Sequence, residues 1–161
     1  MRVFIPATLP LLERWSSARL IDAPTGFAVT PALREWYATG DAEELEYAAL
    51  THAARASIRL LAEDADAPAR RVVVAADAEQ AVPDAAAGRA GVRLTTPLKL
   101  ESVAAVHADD AAAERMIRAA AAAVSAAEAG DPDAEFAFDE AEAIGLSWYA
   151  TQEIPDLLAG P

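Results

Sequence analysis

The sequence predicts an α/β fold, with one mixed sheet of about five or six strands covered by three or four helices in a single domain over residues 1–161. Three observations predict it. Segments of strand and helix periodicity alternate along the chain, which favours helices layered on a sheet. Within Arg70–Asp77 the stretch Val72-Val73-Val74-Ala75-Ala76 is apolar without a break, as a strand covered on both faces would be. No repeat or linker divides the 161 residues, a length suited to one domain. A two-layer α+β sandwich is the alternative.

The elements follow in order. Arg2–Ala7 is a short apolar strand. Thr8 then caps a helix with Pro10 in its first turn and Leu11, Leu12 and Trp15 at helical spacing. Phe27–Val29 is a second strand, and Thr30-Pro31 opens a helix that stops at Gly40. Asp41 and Glu44 have the spacing of a capping box. Behind them Tyr47, Leu50, Ala54, Ile58 and Leu61 trace the buried face of a long helix ending near Asp64. Residues 78–91 lack periodicity and predict a loop. Val92, Leu94, Leu98 and Leu100 share one parity, which predicts a half-buried strand, at an edge or bulged because Pro97 cannot donate to a ladder. A bend near Ser102 leads into the more buried Val103–Val106. Asp109 or Asp110 caps the next helix, whose stripe is Ala113, Met116 or Ile117, Ala120, Val124 and Ala127; Gly130 and Pro132 end it. Phe136 and Phe138 alternate with Glu135, Ala137 and Asp139, and Leu146, Trp148 and Ala150 alternate with Ser147, Tyr149 and Thr151, so a hairpin is expected there. Ile154-Pro155 opens a last helical turn.

Composition excludes several functions. Cysteine is absent, so there is no disulfide, thiolate ligand or cysteine nucleophile. The net charge of −13 opposes binding to a phosphate backbone, so no nucleic-acid partner is expected. No apolar run reaches the roughly 18 residues a membrane span needs, and the N-terminal run Val3-Phe4-Ile5 ends at Pro6, short of a signal-peptide core. A cytoplasmic protein without a membrane partner is the expectation. Alanine supplies 44 residues, arginine 12 and lysine one, with asparagine missing, a bias that a GC-rich genome writes at tolerant positions. Seven carboxylates and no base occupy Glu128–Glu142. A solvated, self-repelling surface is the simplest account of that run; a cation site, a dock for a basic partner and a DNA mimic are the sharper ones.

No Gly-x-Gly-x-x-Gly, phosphate loop or Gly-x-Ser-x-Gly elbow is present, and no cofactor or metal is expected. The one catalytic constellation is His107, Asp109 and Asp110 at a strand end, where open helix–strand folds place ligands. There His107 would act as a general base oriented by a carboxylate, or as a metal ligand completed by Asp109. Against this stands a histidine ending a strand beside two capping aspartates. Arg34, Trp36, Tyr37, Tyr47, Trp148 and Tyr149 are the binding candidates, aromatic faces with a cation beside them, although their spacing also suits core packing.

The segments Val29–Tyr37, Glu43–Leu50 and Trp148–Pro155, with the opening Arg2-Val3-Phe4-Ile5-Pro6, resemble a family of short acidic actinobacterial proteins known only as a domain of unknown function. The resemblance implies an actinobacterial cytoplasmic protein and carries no catalytic residue with it. Together these observations predict a non-enzymatic module that binds a protein or small molecule. The alternative is a small hydrolase-like or metal-dependent enzyme built on His107 with Asp109 or Asp110.

Overall fold

The computed structural model describes residues 1–160. In chain order the elements are β1 (Arg2–Ala7), α1 (Leu9–Ala18), β2 (Leu20–Ile21), β3 (Thr25–Phe27), α2 (Pro31–Trp36), α3 (Ala42–Glu63), β4 (Val72–Asp77), β5 (Ala81–Pro83), β6 (Gly91–Leu94), β7 (Leu98–Lys99), β8 (Val103–Ala108), α4 (Glu114–Ala122), α5 (Val124–Glu128), α6 (Pro132–Glu142), β9 (Ser147–Tyr149) and α7 (Ile154–Ala159). The class is the expected one of helices layered on a sheet. The sheet is larger than expected, with seven strands in the order β5-β6-β3-β1-β4-β8-β9, and every pairing in it is antiparallel. A separate two-stranded ribbon joins β2 to β7.

Strand alternation explains the layers. On β1 and β4, Val3, Ile5, Val72, Val74 and Ala76 point to one face, where α1, α7 and the β2–β7 ribbon supply Leu12, Trp15, Ile21, Leu98, Ile154 and Leu157. Phe4, Val73 and Ala75 point to the other, against Leu45, Ala49 and Ala53 of α3 and Leu33 of α2. Both central strands are therefore buried on both sides, as the apolar run at 72–76 required. The C-terminal half of α3 passes beyond the sheet, and there Ile58 and Leu61 meet Ile117, Ala120, Val124, Phe138 and Ala141 of α4–α6. Ser57 fixes the crossing point. Fully buried, its hydroxyl donates to the Ala7 carbonyl at 2.7 Å and accepts from Val72 N–H at 3.1 Å, pinning α3 to both central strands.

The capping reading holds at three helix starts. Thr8, Thr30 and Asp41 accept from the backbone N–H groups of Leu11, Leu33 and Glu44. Other expectations are corrected. α2 ends at Trp36, before Gly40. In α3 the buried set begins at Leu45, Ala48 and Ala49, which turns Tyr47 out to solvent at 68% exposure. The expected loop at 78–91 contains β5. The single strand expected over 92–101 is two, because the chain turns at Pro97: β6 lies inside the large sheet and β7 in the ribbon. Of the alternatives Met116 and Ile117, Ile117 is the buried one. The hairpin expected around Phe136 is replaced by α6. Its buried residues Ala134, Phe138 and Ala141 follow the helical period, while Phe136 faces solvent. Asp131 caps α6 by accepting from Asp133 and Ala134 N–H, with Pro132 at its first position.

Candidate functional site

The strand end bearing the catalytic candidates is organised by two arginines rather than by the histidine. Arg70 and Arg71 enter β4 side by side, so alternation sends them to opposite faces of the sheet. Arg71 turns to the α3 side and closes a bidentate pair with Asp109. Its Nε and backbone N–H donate to Oδ2 at 2.9 and 2.8 Å, and Nη2 donates to Oδ1 at 2.7 Å. The same Nη2 reaches the Ile144 carbonyl at 2.8 Å. Both side chains are buried, and the geometry is the fork-to-carboxylate match in which arginine excels. Arg70 Nε donates to the Asp109 carbonyl at 2.7 Å, so Asp109 ties the end of β8 to both residues that precede β4.

This corrects the expected role of Asp109, which caps nothing. Asp110 stands at the cap position of the 3₁₀ turn Ala111–Ala113 but makes no side-chain capping bond; instead its Oδ1 accepts from the Ser147 hydroxyl at 3.0 Å. His107 sits on the sheet face opposite Val106 and Ala108, between Val73 of β4 and Trp148 of β9. Among the described residues no hydrogen bond joins its ring to Asp109 or Asp110. Burial, then the positive charge of Arg2, lowers its pKa from the ordinary 6.5. A carboxylate partner would raise it. Burial also lowers the pKa of His52, helped by Arg55 and Arg89 against the opposing charge of Glu142.

Those two shifts fix a pH dependence. With its folded pKa below the unfolded value, each histidine contributes stability that is present above about pH 6.5 and lost as pH falls through the folded value. Chemical denaturation should therefore show stability falling from pH 7 to pH 5. His107→Gln and His52→Gln should each flatten part of that slope, and an unchanged slope in the double variant would refute the assignment.

The binding candidates fall in two places. Trp148 and Tyr149 lie on β9 at one sheet edge; alternation points Tyr149 toward the α1–α7 core and leaves Trp148 exposed. Arg34 and Trp36 lie on α2, and Tyr37 is the residue that follows its last turn. Arg34 is exposed, and the cation on the Trp36 ring is Arg89, 3.6 Å from the ring centroid. The loop carrying Arg89 is held by Thr30, whose hydroxyl donates to the Arg89 carbonyl. Tyr37 and Tyr47 wall an open groove of about 700 Å³ between α2 and α3, also lined by Glu43, Glu44, Thr51 and His52. The His52 ring stacks on Phe27 with centroids 6.1 Å apart. Arg89 and Arg70 were not legible as functional residues, since what gives each its place is distant in sequence.

The acidic run Glu128–Glu142 is not wholly free surface. Glu128 and Glu142 pair with Arg59 and Arg55 of α3 at 2.7 and 2.6 Å, and Arg55 also lies over the Phe138 ring. Among the described residues no group of three or more His, Asp or Glu side chains could hold a metal ion, and no helix is long and apolar enough to cross a membrane.

Residues 1–158 match a family described as a family of unknown function, DUF6912. The chain belongs to it. The resemblance drawn from 29–37, 43–50 and 148–155 thus extends over nearly the whole of this family member. No curated protein and no solved structure matches it.

Proposed function

We propose that this chain is a cytoplasmic, non-enzymatic binding module that takes a basic segment of a protein partner in the groove between α2 and α3. The observation that supports this reading is the groove's composition. Two exposed tyrosines, Tyr37 and Tyr47, share its lining with Glu43 and Glu44, and among the described residues no arginine or lysine lines the groove. Large aromatic side chains left exposed together favour a contact surface. Carboxylates and aromatic rings lining one groove favour guanidinium or ammonium groups, which gain from both. The overall charge of −13 would steer such a partner inward. The enzyme alternative joins His107 to Asp109 or Asp110, whereas Asp109 bonds Arg71 and Asp110 bonds Ser147.

Titration with an arginine-rich peptide, followed by amide NMR, tests the reading. Shifts should concentrate at Tyr37, Tyr47 and His52, and Tyr47→Ala should weaken binding about tenfold, as truncating a central interface aromatic does. Shifts spread along 128–142, or affinity unchanged in Tyr47→Ala, would overturn it.

A further inference from the structure

A separate cleft lies on the opposite side of the sheet from the groove. Arg70, turned toward α7 by strand alternation, is only 6% exposed. Its Nε is satisfied by the Asp109 carbonyl, but among the described residues neither terminal nitrogen has an acceptor and no carboxylate forms an ion pair with it. Among the described residues no fully buried side-chain nitrogen or oxygen lacks a partner, so both terminal nitrogens of Arg70 keep some contact with solvent. They do so in a cleft of about 270 Å³, lined also by Asp110, Tyr149, Asp156 and Leu157. Arg70 is thus a largely buried arginine whose terminal fork opens into a cleft, the arrangement in which guanidinium groups hold carboxylates by paired hydrogen bonds.

A plain anion does not fit the remaining charges, because two carboxylates share the cleft. We propose that it binds a small zwitterion of the α-amino acid class. The ligand's carboxylate takes the two free nitrogens of Arg70 in the fork geometry, and its ammonium group lies toward Asp110 and Asp156. Tyr149 and Leu157 offer an aromatic and an apolar wall to the side chain. The volume sits just below the roughly 300–1,000 Å³ of pockets that hold drug-sized molecules, which suits a single amino acid.

Isothermal titration of the intact protein with each of the common α-amino acids, at concentrations up to the millimolar range, tests the proposal. At least one should bind saturably. Its N-acetyl and carboxamide derivatives, each lacking one charge, should bind about tenfold more weakly, as should Arg70→Gln and Asp156→Asn. Asp156 is exposed on α7, so its variant decides the matter even where Arg70→Gln disturbs the fold. Asp156→Asn should leave the binding of the arginine-rich peptide unchanged, which separates failure here from failure of the groove. The proposal falls if no amino acid binds, if Asp156→Asn binds as tightly as wild type, or if acetate or inorganic phosphate binds as tightly as the amino acid.

Discussion

Asp109→Ala should destabilise the protein by about 3–5 kcal/mol, the usual result of leaving one partner of a buried ion pair without the other. In a chain of this size, with roughly 2–4 °C of Tm per kcal/mol, the melting temperature should fall by about 6–20 °C. The cause is specific. Removing the carboxylate strands the Arg71 guanidinium, 3% exposed, with only the Ile144 carbonyl to accept from it. It also frees the Arg71 backbone N–H that Oδ2 satisfies. Replacing both partners should cost much less than the single change, because Arg71→Met with Asp109→Leu removes the stranded charge along with its mate. Thermal denaturation of the two singles and the double gives the coupling directly. A loss below about 1 kcal/mol in Asp109→Ala would mean that the pair contributes no more than exposed ion pairs do.

Phe138→Ala should cost about 3–5 kcal/mol and Phe136→Ala under about 0.5 kcal/mol. The two rings are two residues apart in sequence and differ only in where α6 turns them. Phe138 is 7% exposed, beneath Arg55 and among Ile117, Val124 and Ala141; Phe136 is 63% exposed. On a strand both rings would face the same side and the two losses would be similar. Urea denaturation of the pair therefore measures the helix itself, and equal losses would contradict it.

These residues also show where the sequence was legible. Local chemistry is legible: Thr8, Thr30 and Asp41 sit directly before the helices they cap, and each bonds an N–H three residues on. The two-sided burial of β4 was likewise visible, since five consecutive apolar residues leave no polar face to wet. Asp109 was opaque because its partner, Arg71, is 38 residues away; seen locally, an aspartate before a helix is a cap. The acid–aromatic alternation at 135–139 satisfied a strand period over too few residues to exclude a helical one. The signal that would have separated them was Asp131-Pro132, which opens α6 just as Thr30-Pro31 opens α2. The candidate site was legible as residue types and not as a place. Trp36 and Tyr37 were visible as aromatics with a cation near, but the cation that stacks is Arg89, brought in by the turn before β6. Leu50, Ala54 and Ile58 continue the spacing of Tyr47, which predicts burial, whereas the sheet takes the neighbouring row that begins at Leu45.

The pairing of β1 with β4 has a consequence for how the chain is made. Arg2 lies opposite Asp77, so the first strand meets its main partner only after 75 further residues have been added. At synthesis rates of about 5–20 residues per second, that interval is roughly 4–15 s. Throughout it Val3, Phe4 and Ile5, destined for burial on both faces, have only the short β3 to pair with. The nascent chain thus carries an uncovered apolar edge for seconds on the ribosome. A chaperone that meets the nascent chain in that interval would find Val3, Phe4 and Ile5 uncovered.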